Sequence, residues 1–320
     1  GRAAPEEDKH SVLTQVDGVY GNTKRAENVY VKIFQNSPFL ICMDFGLAQE
    51  VVIDPVYSWT GPDGTSLEGQ TYANLNETGK LMLTGFKEFM SGAYTCTLSH
   101  KIIETTTQEE ADASETYIFM VYGCFLQAYR EADHAYQISV RFTAKECELA
   151  ANAQFIEELR KILDSIIWDL TCRIAELSYR CHSIRIPNHG LPSELFVTFQ
   201  VDPFAPGWEE LCRQVPYDCE EATNRRVQQA RDLMAEFFRK QTYALQHVFQ
   251  AVPTIHYVDS SFSATPVDSC QPGFGKSSAL HEDCAGCCVV CSPGTFSPNN
   301  DVSCQPCTRA KITEYGAKSC

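Results

Sequence analysis

Hydrophobic and polar positions change period twice along the chain, and the changes divide it into three parts. From Asn28 the alternation is that of short strands: Val29-Tyr30-Val31-Lys32-Ile33-Phe34, a break at Pro38, then Phe39-Leu40-Ile41-Cys42. Further strands are predicted around 56–60, 81–83, 93–99 and 117–122, with the turns Gly61-Pro62-Asp63-Gly64 and Thr78-Gly79 between them and an acidic hairpin tip at 108–114. The period then lengthens. After a strand at 136–142, Phe155, Leu159, Ile162, Leu163, Ile166, Leu170, Ile174 and Leu177 recur at three and four, which predicts a long amphipathic helix closed by Pro187 and Gly190. A strand at 195–201 ends at Pro203 and Pro206. A second helix over 220–250 carries Val227, Ala230, Met234, Phe237, Leu245 and Val248 on one face, and Pro253 precedes a strand at 255–258. The order β-α-β-α-β predicts a small sheet covered by two long helices.

Within the first part, Cys42, Trp59 and Ser91-Gly92-Ala93-Tyr94-Thr95-Cys96 fall in the order of an immunoglobulin-like sandwich. Cys42 and Cys96 are expected to bridge the two sheets, Trp59 to pack on the bridge, and the Tyr94 hydroxyl to tie the corner before the second cysteine. A domain of ~100 residues has a thin core, and one disulfide with one indole fills its middle.

The third part is dense in cysteine. Cys270-Gln271-Pro272-Gly273-Phe274 leads to Cys284 and Cys287; Cys291-Ser292-Pro293-Gly294-Thr295-Phe296 leads to Cys304 and Cys307; Cys288 and Cys320 flank the second copy. Units this short bury little core and are held by disulfides, as in growth-factor-like and receptor ectodomain modules. Their pairing does not follow from the spacing. In the middle part, Cys172 and Cys181 on one continuous helix would lie ~13 Å apart along its axis, too far to bond. Each then needs another partner, with Cys147, Cys212 and Cys219 nearest, or none.

Sixteen cysteines in 320 residues point to an oxidising compartment. The sequon Asn76-Glu77-Thr78, in a polar turn, marks Asn76 for glycosylation, whereas Asn36-Ser37-Pro38 lacks a hydroxyl at the third position. The start at Gly1-Arg2 without methionine suggests a leader already removed. No apolar run approaches the ~18–20 residues of a spanning helix, since 162–170 is interrupted by Asp164 and Asp169. A net charge of −15 argues against a nucleic-acid partner, which needs a basic footprint.

Reactive constellations fare poorly. The pairs Cys284/Cys287, Cys288/Cys291 and Cys304/Cys307, with His281 beside them, have zinc-ligand or redox spacing, but only if reduced. Gly273-Phe274-Gly275-Lys276-Ser277 covers half of a phosphate loop without its first glycine. There is no Gly-x-Ser-x-Gly elbow and no His-Glu-x-x-His string, and His182, His189, His247 and His256 are scattered. No catalytic residue, cofactor or metal is expected.

Four strings together resemble the zona pellucida-binding protein family of sperm acrosomal proteins, and look closer to its second paralogue. They are Tyr57-Ser58-Trp59-Thr60-Gly61-Pro62-Asp63-Gly64, Met90-Ser91-Gly92-Ala93-Tyr94-Thr95-Cys96, Ala128-Tyr129-Arg130-Glu131 and Cys287-Cys288-Val289-Val290-Cys291-Ser292-Pro293-Gly294-Thr295. Tyr315-Gly316-Ala317-Lys318-Ser319-Cys320 fits as well. Gly123-Cys124-Phe125-Leu126-Gln127 departs from the pattern as an insertion at the junction of the first two domains. It supplies Cys124, the candidate for an unbridged or intermolecular thiol.

The expected organisation is a flexible tail at 1–24, an immunoglobulin-like domain at 25–122, an α/β domain at 123–262 and a cysteine-rich module at 263–320. The resemblance implies a non-enzymatic secreted glycoprotein of the acrosome, acting in acrosome formation and in sperm attachment to the egg coat. Its implied partners are zona pellucida glycoproteins and other acrosomal matrix proteins, with oligomers or larger assemblies possible. The competing readings are a secreted receptor-like module that captures a soluble ligand and a Cys-x-x-Cys redox or zinc protein.

Overall fold

The computed structural model describes residues 18–103, 107–125, 135–147, 150–183, 193–214, 219–240, 255–298 and 302–320. The chain divides into two compact units. One takes Gly1–Ala128 and Pro272–Cys320, the other Tyr129–Gln271.

The first unit opens with an immunoglobulin-like sandwich. Strands β1 (Val19–Gly21), β2 (Glu27–Lys32), β3 (Leu40–Asp44), β4 (Ile53–Thr60), β5 (Ala73–Leu75), β6 (Lys80–Leu83), β7 (Gly92–Ile103) and β8 (Glu110–Phe125) form two sheets. The order is β1-β3-β6-β5 in one, and β8-β7-β4 with β2 added to β8 in the other. The tail expected to run to residue 24 is interrupted by β1, which pairs in parallel with β3. Strand β2 pairs in parallel with β8 of the opposite sheet, so the N-terminal stretch closes an edge of each. Alternate side chains point inward as the pleat requires: Leu40, Leu81, Leu83, Leu98, Phe119 and Val121 are all buried.

Cys42 on β3 is bridged to Cys96 on β7. Trp59 packs beside Phe119 with ring centroids 5.6 Å apart, and its indole N–H donates to the Gly79 carbonyl at 3.0 Å. The Tyr94 hydroxyl donates to the Met90 carbonyl. The hairpin expected at 108–114 is displaced, because Ala111 to Ser114 already pair with Ser99 to Ile102.

The second unit is built on strands β9 (Ala135–Ala144), β10 (Arg173–Ser183), β11 (Ser193–Asp202), β12 (His256–Tyr257) and β13 (Ser263–Val267). Antiparallel β10-β11-β9 continues to β12 and β13, both on the free edge of β9. The helices Ala150–Ile167 and Cys219–Arg239 lay Phe155, Leu159, Leu163, Val227, Ala230, Met234 and Phe238 onto the sheet residues Ile138, Val140, Phe142, Leu195, Val197 and Phe199. This is the apolar stripe that the 3.6-residue period requires.

The element order departs from β-α-β-α-β. The first helix stops at Ile167, turns through Trp168–Leu170, and reaches Thr171 at φ +53°. The following residues are β10, a strand and not more helix. Ile174 and Leu177 mimic helical spacing because a bulge lies between Ala175 and Ser178, with Glu176 at φ +54°. One extra residue brings two positions three apart onto the same face of the sheet.

Cys172 and Cys181 therefore do not share a helix. Cys181 on β10 bonds Cys147, and Cys172 is a buried thiol outside any disulfide. The second helix ends at Arg239. Positions 241–254, with Leu245, Val248 and Pro253, lie outside the described residues, as do Pro187, Gly190, His189, His247 and Ala128-Tyr129-Arg130-Glu131.

The cysteine-rich segment completes the first unit with β14 (Phe274–Gly275), β15 (Cys288–Val290), β16 (Thr295–Phe296) and β17 (Gln305–Pro306). Cys284–Cys287, Cys291–Cys304 and Cys307–Cys320 are bridged, and Cys270 and Cys288 are also in disulfides. The two copies thus repeat in spacing but not in pairing. Both expected boundaries move. Strand β13 belongs to the middle sheet past residue 262, and Gly123, Cys124 and Phe125 continue β8 past residue 122. The segment expected as a junction insertion is, as far as it is described, strand: Gly123 pairs with Val31 and Cys124 with Lys32.

Candidate binding surface of the first unit

Three features of the first unit stand apart from the sandwich interior around Cys42 and Cys96. The first is a joint between the sandwich and the cysteine-rich segment. Beyond Gly92, where β7 begins, β8 pairs instead with β15, with Cys288 opposite Phe125 and Val289 opposite Cys124. Strand β14 pairs with β15 in turn, so the cysteine-rich segment extends the immunoglobulin sheet by two short strands. Edge pairing of this kind satisfies backbone groups that a short disulfide-held segment could not satisfy alone.

Side chains seal the joint. His281 is only 5% exposed. Its Nδ1 lies 2.9 Å from the Tyr30 hydroxyl, and its ring meets Tyr122 edge-on at 4.8 Å. Tyr30 stacks on Tyr122 at 5.7 Å, Tyr122 contacts Tyr315, and Phe125 meets Phe274. Burial lowers the imidazole pKa below its ordinary value. Burial also pushes the Tyr30 phenol up to about 12, helped by Tyr122 and Asp283. Both effects disfavour charge within the joint, so neutral His281 beside neutral Tyr30 is the stable pairing.

The second feature is a groove of about 580 Å³ beside the β5–β6 hairpin. Tyr57, Trp59, Ser66, Glu68, Gln70, Asn74 and Asn76 contribute to its walls. The hairpin tip is held by Asn76, whose Oδ1 accepts from the Thr78 amide at 3.0 Å, the Thr78 hydroxyl at 2.9 Å and the Lys80 amide at 2.9 Å. Gly79 closes the turn at φ +80°, and a Cβ there would sit 2.4 Å from the Tyr57 ring. A side chain is excluded on both counts.

The third feature is the outer face of β4, β7 and β8. Register places Val56 opposite Ser99, Ser58 opposite Thr97, and Thr95 opposite Ile118. Val56 is 64% and Ile118 41% exposed. On a chain of net charge −15, these paired positions form an uncharged patch of hydroxyls with two exposed aliphatic side chains. Such a patch costs less to desolvate than charged surface, and its hydroxyls can re-pair with a partner's polar groups, which suits it to protein or glycan contact.

His182 lies on β10 and His256 on β12, while His281 is committed to the joint. Among the described residues, no group of three or more His, Cys, Asp or Glu side chains is placed to hold a metal. Cys284 and Cys287 bond each other, and Cys291 and Cys307 bond outside their Cys-x-x-Cys pairs. No described helix is long and apolar enough to cross a membrane. Cys124 is buried between β2 and β15 and stands outside any disulfide. Sequence reasoning missed the joint. Its signal was the Tyr30, Tyr122 and Tyr315 set, but Tyr30 and His281 are 251 residues apart.

The family described as the N-terminal Ig domain of zona-pellucida-binding protein (Sp38) matches residues 26–129, and its C-terminal EGF-like domain matches residues 270–320. Zona pellucida-binding protein 2 of Gallus gallus is 65% identical over 320 residues, which is all of this chain and 90% of that one. Zona pellucida-binding protein 2 of Mus musculus is 48% identical over 314 residues, 98% of this chain and 94% of that one. Zona pellucida-binding protein 1 of Gallus gallus is 32% identical over 292 residues, 91% of this chain and 87% of that one.

Proposed function

The chain belongs to the zona pellucida-binding protein family, and on that premise we propose that it is a non-enzymatic secreted glycoprotein of the sperm acrosome. It organises the acrosomal matrix and attaches sperm to the egg coat, with zona pellucida glycoproteins and other matrix proteins as partners. The outer face of β4, β7 and β8 makes the egg-coat contact. The observation that carries this assignment is the hydroxyl-rich patch without charge at Ser58, Thr95, Thr97 and Ser99, with Val56 and Ile118 exposed at its opposite corners. An acidic chain gains little from electrostatic attraction to sulfated glycans, so a neutral patch is the favourable place for contact.

The test is binding of the full glycosylated chain to solubilised egg-coat glycoproteins. Ile118→Glu sets a carboxylate in the patch without touching the core. It should weaken binding about tenfold, or ~1.4 kcal/mol, with an unchanged melting temperature. Unchanged affinity would remove the patch from the contact. A steep salt dependence in the parent protein would favour charge-driven binding instead.

A further inference from the structure

We infer that Asn76 carries an N-linked glycan whose first sugars lie in the groove beside the β5–β6 hairpin, so that the groove is filled by the chain's own carbohydrate. This does not depend on the outer-face reading above.

The geometry of Asn76 comes first. Its side-chain oxygen takes three hydrogen bonds, two of them from backbone amides that can only donate. That settles which end of the amide faces the turn and leaves Nδ2 directed away from it. Thr78, the hydroxyl residue of the sequon, supplies two of the three donors. The acceptor side chain is thus exposed, fixed in direction, and set at the tip of a tight hairpin.

The groove comes second. Asn76 itself lines it, together with Asn74, Gln70, Glu68 and Ser66, and the Tyr57 ring lies against the hairpin tip at Gly79. Polar amide, carboxylate and hydroxyl groups beside the Tyr57 and Trp59 rings are the groups that hold a pyranose, by hydrogen bonds at its edges and contact with its apolar face. Its ~580 Å³ falls within the ~300–1,000 Å³ typical of small-ligand sites. A sugar tethered at Nδ2 enters at high effective concentration, so weak contacts suffice to seat it. In forming the link, Nδ2 loses a proton and bonds the anomeric carbon of the transferred oligosaccharide. The bond from that carbon to the diphosphate of its lipid carrier breaks, and the lipid diphosphate leaves.

The full chain secreted from glycosylating cells is digested to peptides, and the Asn76 peptide is weighed. Amide hydrogen exchange is then compared between the native protein and the same protein trimmed enzymatically to remove the glycan. The expected results are a hexosamine-bearing Asn76 peptide, and exchange over 66–75 that quickens roughly threefold or more on trimming, with 92–103 unchanged. Thr78→Ala should lose the glycan and show the same quickening, while Thr78→Ser retains both. An unmodified Asn76 would overturn the inference. So would a glycan whose removal leaves 66–75 unchanged, which would place the sugar in solvent.

Discussion

The Tyr30 hydroxyl and His281 Nδ1 lie 2.9 Å apart across 251 residues of sequence. Tyr30 belongs to β2 of the sandwich and His281 to the cysteine-rich segment, so this bond closes the first unit's chain back on its own beginning. Tyr122 packs edge-on against the same imidazole, Tyr315 lies against Tyr122, and the Asp283 charge adds to the burial that raises the Tyr30 phenol.

A pH dependence follows from the buried imidazole. Its folded pKa lies below the ordinary 6.5, so the unfolded chain binds the proton first. The joint's contribution is complete above that value and declines as pH falls from about 6.5 toward the lower folded pKa. Thermal unfolding between pH 7.5 and 5 should show a falling melting temperature. In His281→Phe that part of the fall should be absent, so the gap between the two proteins changes with pH. A gap that is the same at every pH would remove His281 as its source.

Gly79→Ala should destabilise the sandwich by more than ~1 kcal/mol, because φ +80° and the Tyr57 ring both reject a Cβ. Gly64, also at positive φ but with open space around it, is the control and should cost less. Denaturant midpoints of the two variants give the comparison.

In the second unit, Asp202 is fully buried and accepts from Arg173 Nε at 2.9 and 3.0 Å and from the Phe204 amide at 2.9 Å. Asp202→Ala strands the guanidinium and that amide. The expected cost is ~1–3 kcal/mol, because Arg173 keeps 30% of its side chain exposed and water can take over part of the lost bonding. Exposed pairs such as Arg225–Glu221 should cost under ~0.5 kcal/mol when broken. Chemical denaturation of both single variants tests the ranking.

Two thiols stand outside disulfides, Cys124 and Cys172, and both are buried. Burial pushes the Cys172 thiol up to about 12, so it is almost wholly protonated at neutral pH. Neither should react with a maleimide in the native protein, and both should react after unfolding without reductant. Peptide mapping of the labelled sites reads the result. Native labelling at Cys124 would mean that the β8–β15 pairing opens.

Much of the sandwich was legible because its markers are local and chemically distinctive. Cys42, Trp59, Tyr94 and Cys96 together follow the order and spacing of an immunoglobulin-like sandwich. The middle sheet was harder. The bulge at Glu176 gives Ile174 and Leu177 the spacing of a helix, and a period of three reads the same in either structure. The joint was illegible for a different reason. Tyr30, Tyr122 and His281 carry no common spacing, and only the pairing of β8 with β15 brings them together. The candidate contact face lay hidden in plain alternation, since Ser and Thr on an outer face look like any solvated strand.

The most direct measurement places a photoreactive residue at position 118 in the full glycosylated chain, irradiates it with egg-coat glycoproteins, and identifies the crosslinked product. Capture of a zona pellucida glycoprotein from position 118 is expected, and none from an equivalent probe at position 179 on β10. Capture from position 179 with none from 118 would contradict the outer-face assignment, and would move the contact to the second unit.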